Sequence, residues 1–249
     1  MENKLHASFS PHIKSSNSTM RTMLDVIIAL VPATIAAVIL FGIPALLVIA
    51  VCVISAVAGE AIFNIAVKKE QTVGDLSAVV TGLILALNLP ANIPLWQAAV
   101  GSLFAIIIVK GIFGGLGKNI VNPAIAARVF MLIAFGSMTK AAFPSGVDAT
   151  SGATPLAELA NDKTVNLLDL FLGKCGGALG ETCTAALLIG GIYLLVRKVI
   201  SWHIPVAFIG TTFLFTFAVE GWNIETTLAW VISGGLVLGA FFMATDYVT

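Results

Sequence analysis

The sequence predicts an all-α polytopic membrane protein, and two observations carry that prediction. Hydrophobic residues fill 58% of the 249 positions and charged residues only 10%, against roughly 45–50% and about 25% in soluble domains. The apolar residues also fall in runs close to the roughly 20 that cross a bilayer, and the mean hydropathy is +1.02. A chain of this composition cannot clothe itself in polar surface, which excludes a soluble enzyme.

Taken in order, residues 1–23 form a polar tail, with Ser15, Ser16, Ser18 and Thr19 beside Lys4, Lys14 and Arg21. A cleaved signal peptide would place its apolar core sooner, so a cytoplasmic tail and a retained first span are expected. Apolar runs follow at Leu24–Phe41, Ile43–Val67, Leu76–Leu89, Leu95–Phe113 and Ile120–Phe135, giving spans one to five over 24–135. Residues 136–181 are a polar loop. Thr182–Val196, Ile204–Val219 and Thr226–Ala244 make spans six to eight within 182–249. The chain stops at Thr249 directly after an apolar run, which suggests that the natural protein continues.

Basic residues orient the spans, because cytoplasmic ends collect Lys and Arg. Lys4, Lys14, Arg21, Lys68, Lys69, Lys110, Lys118, Arg197 and Lys198 fall at one set of ends. Lys140, Lys163 and Lys174 fall in the long loop, outnumbered there by Asp148, Glu158, Asp162, Asp169 and Glu181. The N-terminus is therefore expected in the cytoplasm, with the long loop outside the membrane.

Several chemistries are excluded or weakened. Thirteen basic and thirteen acidic residues cancel, and no basic cluster suits nucleic acid. Cys52, Cys175 and Cys183 form no Cys-x-x-Cys pair, and His6, His12 and His203 supply no two inward-facing haem ligands from spans; no metal site is expected. The spacing of Cys175 and Cys183 allows a disulfide and equally two free thiols.

Charges at membrane depth face a cavity or a partner. Glu60 lies within span two, with Asn64 one turn on and on the same face; an ion-pathway role and a structural pairing are both open. Asp25, Asp75 and Lys110 lie near segment ends, where pairing or snorkelling explains them, and Arg128 lies inside span five. Gly114–Pro123 packs breakers, a cation and two amides into one stretch: either an ordinary cytoplasmic turn or a break that aims helix ends at a ligand. Asp148-Ala-Thr-Ser151-Gly152-Ala153-Thr154-Pro155 is a turn-rich loop of hydroxyl residues, and its composition alone does not select Thr154 over Ser151 or Thr150.

Asp148-x-x-Ser151-Gly152-Ala153-Thr154 resembles the flavinylation motif of membrane redox subunits. Val80-Thr81-Gly82 through Leu89-Pro90 to Ile93-Pro94-Leu95-Trp96, and Gly114–Pro123 followed by Ala127-Arg128-Val129-Phe130, resemble the same family, as does the opening Ser10-Pro11-His12-Ile13-Lys14-Ser15-Ser16. The chain is similar throughout to the D subunits of Rnf complexes, ion-pumping ferredoxin:NAD⁺ oxidoreductases. It is more distantly similar to the B subunits of sodium-pumping NADH:quinone oxidoreductases.

The resemblance implies about ten spans in two inverted five-span repeats, like urea transporters. It implies FMN joined to Thr154 by a phosphoester, installed by a flavin transferase from FAD with Mg²⁺, and flanked by Asp148, Ser151, Gly152 and Ala153. It further implies a noncovalent second flavin, riboflavin, near the other membrane face. Implied partners are the other Rnf subunits, including a second FMN-carrying subunit and iron–sulfur subunits. Asp246 matches an acidic position of the family and joins Glu60 as an ion-pathway candidate; Tyr247 stands where many relatives have proline. The expected function is electron relay coupled to Na⁺ or H⁺ translocation, with a transporter or channel, or a purely structural membrane subunit, as the alternatives.

Overall fold

The computed structural model describes residues 18–144, 154–161 and 165–246. Every apolar run of the sequence is helical within them. Ser18 starts α1 (Thr19–Phe41), its hydroxyl accepting from Arg21 N. Gly42 ends α1 at φ 69°, and α2 (Ile43–Ala66) begins at once with Pro44 in its first turn. A proline there loses no hydrogen bond that the helix could have made, so one residue suffices to reverse the chain. α3 (Ser77–Leu87) follows a 3₁₀ turn at Val73–Asp75, and Asp75 Oδ1 accepts from Ser77 N.

Helix α4 (Leu95–Leu103) continues without interruption as a π-helix, Phe104–Ile112. Asn122 caps α5 (Pro123–Ala134), accepting from Ala124 N and Ile125 N. The long loop carries two short helices, α6 (Pro155–Leu159) and α7 (Leu167–Leu172). Then come α8 (Thr184–Val196), α9 (His203–Val219) and α10 (Ile224–Ile232). α11 (Leu236–Leu238) runs on as a π-helix, Gly239–Met243.

Among the described residues, three helices are long and apolar enough to cross a membrane: Thr19–Phe41, Ile43–Ala66 and Leu95–Ile112. The last run differs from expectation: it is not one rod, because α10 and the α11 segment meet at 64° across Ser233–Gly235. Helix α3, at about 17 Å, falls well short of the ~30 Å hydrocarbon core. The protein is a helical polytopic membrane protein, with side-chain exposure to match: Ile39 and Ile133 are 75% and 83% exposed, faces that only lipid or a partner would cover.

Small residues draw the core together. α1 packs on α8 where Gly190 approaches the Ala29 carbonyl, and α2 packs on α3 where Gly82 lies against the Cys52 carbonyl. The molecule has two distinct ends. At the basic end, Asp25 of α1 pairs with Arg197 at 3.3 Å and accepts from Tyr193 Oη at 3.0 Å. At the other end, Gly173 meets Leu40, and the turn before α8 bonds the carboxyl end of α3: Leu179 N to Leu89 O at 3.0 Å and Gly180 N to Leu87 O at 2.7 Å.

Candidate functional site

Three polar constellations interrupt the apolar interior. The first lies at the basic end. Lys110, on the π-helix, is buried and donates to Glu60 Oε1 of α2 at 2.6 Å and to Ser77 Oγ of α3 at 2.5 Å. Thr72 donates to the same Glu60 oxygen at 2.9 Å and accepts from Asn64 Nδ2 at 3.0 Å. Ser77 in turn donates to Asp75 Oδ1. Glu60 Oε2 is buried without a partner. A cavity of about 310 Å³ opens beside it, lined by Glu60, Asn64, Glu70, Asp75, Lys69 and Lys110 among others. Three carboxylates face two ammonium groups there, leaving the cavity one negative charge.

Glu60 therefore stands about 9 Å from the end of α2, and the shared face with Asn64 is real, since both side chains reach Thr72. Lys110 does not snorkel; it pairs. Asp246 lies nearby but apart, bonded by Asn122 Nδ2 at 3.2 Å. Lys110 and Asp246 line one small cavity of about 30 Å³ with Thr81 and Asn119. Gly114–Pro123 is the connection from the π-helix to α5; Gly114, Gly115 and Gly117 supply its left-handed turns, and its middle walls both cavities.

The second constellation joins three elements near the opposite end. Arg128 of α5 donates to Asn88 Oδ1, past the end of α3, at 2.7 Å and to Glu181 Oε1 at 2.9 Å. The third surrounds Thr154. Its hydroxyl caps α6 by accepting from Ala157 N at 3.3 Å, and the residue is half-buried. Thr154, Glu181, Cys175, Ser233 and Gly234 line a cavity of about 20 Å³. Asp148, Ser151, Gly152 and Ala153 lie outside the described residues. Thr154 is thus separated from Glu60 and Asp246, which sit toward the basic end.

Cys175 and Cys183 are free thiols. Burial, then the charges of Glu181 and Asp169, pushes the Cys175 thiol up to about 12. Among the described residues no cluster of His, Cys, Asp and Glu could hold a metal.

The NQR2, RnfD, RnfE family model matches residues 6–249. The chain belongs to that family. It is 49% identical, over 99% of its length and 78% of the relative's, to the D subunit of the Na⁺-translocating ferredoxin:NAD⁺ oxidoreductase complex of Acetobacterium woodii. It is 41% identical, over 97% of its length and 78% of the relative's, to the D subunit of the proton-translocating ferredoxin:NAD⁺ oxidoreductase complex of Clostridium ljungdahlii. A more partial likeness, 37% over 68% of this chain and 46% of the relative, joins it to the B subunit of the Na⁺-translocating NADH-quinone reductase of Neisseria meningitidis. Within the family frame, Lys110, Asn88, Glu181 and Ser233 are the residues that sequence reasoning did not single out as a site. The partners of Lys110, Asn88 and Glu181 lie tens of positions away, as does Thr154 from Ser233 in the cavity they share, and only the fold brings them together.

Proposed function

We propose that the chain is the D-type membrane subunit of an ion-pumping ferredoxin:NAD⁺ oxidoreductase, relaying electrons through FMN esterified to Thr154. The observation that carries this reading is the threonine closing Asp148-x-x-Ser-Gly-Ala-Thr, half-buried at the end of the molecule opposite its basic end. The positive-inside rule supports a cytoplasmic basic end and with it an external Thr154, where a flavin transferase would act. The 20 Å³ cavity beside Thr154 has room for a phosphoryl oxygen but not for a flavin ring, so the ring would lie over the surface, open to a partner's redox centre. When bound, the isoalloxazine supplies the electron chemistry. The residues of the chain fix its attachment point and exclude water behind it.

A second flavin, riboflavin, would belong at the basic end. Asn119 Oδ1 is buried there without a partner, and Met23, Val80 and Asp246 wall two adjoining cavities of about 80 and 30 Å³. These are smaller than the roughly 300 Å³ of a ligand-sized site, so entry requires the side chains that wall them to move. Ten spans in inverted repeats, the other complex subunits as partners, and Na⁺ or H⁺ as the pumped ion complete the reading; the two D-type relatives are named for different ions. Glu60, with a free oxygen on a negatively charged cavity, is the residue through which a cation would enter.

Peptide mass spectrometry of the chain made with its transferase tests the core of the reading. An FMN-phosphoryl mass on the Thr154 peptide, lost in Thr154→Ala, is expected. No adduct in the presence of an active transferase refutes it and leaves a transporter-like protein. For the ion path, Glu60→Gln should slow ion transport relative to electron transfer; unchanged transport would remove Glu60 from the path.

A further inference from the structure

We propose that Ser233 holds the phosphoryl group of the threonine-linked flavin, making the break between α10 and α11 the seat of that group. The inference rests on the reading of Thr154 above. Ser233 is 4% exposed, and its Oγ has no hydrogen-bond partner. Buried hydroxyls are nearly always bonded, and this one lines the same small cavity as Thr154.

The break is built around the Thr154 turn. Gly234 adopts φ +71°, and a Cβ on it would lie 2.8 Å from Leu156 Cδ1, so the turn that begins at Thr154 rests directly on glycine backbone. Thr184 Oγ1 already donates to the Ile232 carbonyl at 3.2 Å, and Ser233 N donates to Ala229 O at 2.9 Å. The backbone around the break thus has partners, and the hydroxyl remains as an unpartnered donor on a residue that lines the cavity. A space of about 20 Å³ admits one group of water size, which a non-bridging phosphoryl oxygen matches.

Charge permits the arrangement. Glu181 shares the cavity, but Arg128 Nη2 holds its Oε1 at 2.9 Å and Ala178 N reaches its Oε2 at 3.4 Å. The added anion therefore meets a paired carboxylate. In the attachment step, Thr154 Oγ attacks the flavin-side phosphorus of FAD, its P–O bond to the AMP group breaks, and AMP leaves. The hydroxyl proton passes to a base of the transferase, with no change of oxidation state. The resulting phosphodiester carries one negative charge, and one of its non-bridging oxygens accepts from Ser233 Oγ.

The test uses the full chain in detergent, made with and without the transferase, as wild type, Ser233→Ala, Ser233→Thr and Thr154→Ala. Loading is measured by mass spectrometry, the phosphodiester by ³¹P NMR, and unfolding by temperature. The ³¹P resonance should move in Ser233→Ala and stay near its wild-type position in Ser233→Thr. Loading should raise the wild-type unfolding temperature, and Ser233→Ala should lose most of that rise. Without flavin, Ser233→Ala should be at least as stable as wild type, because it removes an unbonded buried hydroxyl. A loaded Ser233→Ala with the wild-type resonance and the full thermal rise overturns the proposal while leaving Thr154 as the attachment point. Absence of the adduct from the wild-type Thr154 peptide overturns both readings.

Discussion

The Lys110–Glu60 pair offers the sharpest energetic test. Both side chains are 5% exposed and 2.6 Å apart, so neither charge has bulk water to fall back on. Removing one partner of such a pair leaves an uncompensated buried charge and costs ~3–5 kcal/mol, whereas replacing both with neutral side chains is often neutral or stabilising. The cavity sets the order of the two single variants. It holds three carboxylates and two ammonium groups; Lys110→Met takes its net charge from −1 down to −2, while Glu60→Gln brings it to 0. Lys110→Met should therefore be the more damaging, with Glu60→Gln at or below the lower bound. At about 2–4 °C per kcal/mol for a chain of this size, the loss in Lys110→Met is roughly 6–20 °C in unfolding temperature. The double variant should recover most of it. The assay is thermal unfolding of the four proteins in one detergent. Additive losses in the double variant, or a larger loss in Glu60→Gln than in Lys110→Met, would refute the reasoning.

Two further predictions concern packing and pH. Gly190→Ala places a Cβ against the Ala29 backbone carbonyl and should cost ~1–3 kcal/mol or more by overpacking; Gly210→Ala on α9, with no atom within 4 Å of the added Cβ, should be neutral or gain about 0.4–1 kcal/mol, as unfolding temperatures would report. The Cys175 thiol, raised from 9.0 to about 12, keeps its proton in the folded chain. Its contribution to stability is fully present below pH 9 and lost as pH climbs toward 12. At pH 8.5 its alkylation by iodoacetamide should be slower in the folded than in the denatured chain by on the order of a thousandfold in available thiolate; equal rates would contradict the burial.

Much of the helical layout was legible because it rests on local properties: apolar runs, Pro44 and Pro123 inside first turns, Gly42 between α1 and α2. Two departures have physical causes. The run at Thr226–Ala244 bends because Ser233-Gly234-Gly235 stops one helix and lets the next turn away, a signal present in the residues but hidden by their apolar neighbours. The π-helical stretch at Phe104–Ile112 has no sequence cue at all; it appears where Lys110 must turn toward Glu60. Of the candidate sites, Glu60 could be named from burial of charge, whereas loop chemistry left Thr154 level with Ser151 and Thr150 and only the resemblance to a family motif singled it out. Lys110 to Glu60 spans 50 positions and Arg128 to Glu181 spans 53, and such pairings are set by tertiary packing, which single-sequence periodicity does not encode.

The clasp of Leu179 N and Gly180 N on the carbonyls of Leu89 and Leu87 bears on how the protein is made. Helix α3 is too short to cross lipid, and the carbonyls at its end cannot be left bare in hydrocarbon. Their partners leave the ribosome only after α4, α5 and the whole intervening loop have been synthesised. A nascent chain that has just emitted α3 must keep that end near water or headgroups, and the helix takes its final depth only when residues 177–182 arrive. Insertion of the first half is thus completed by a piece of chain from beyond it, so truncation before Gly180 should leave an early helix unsettled rather than merely remove a late loop.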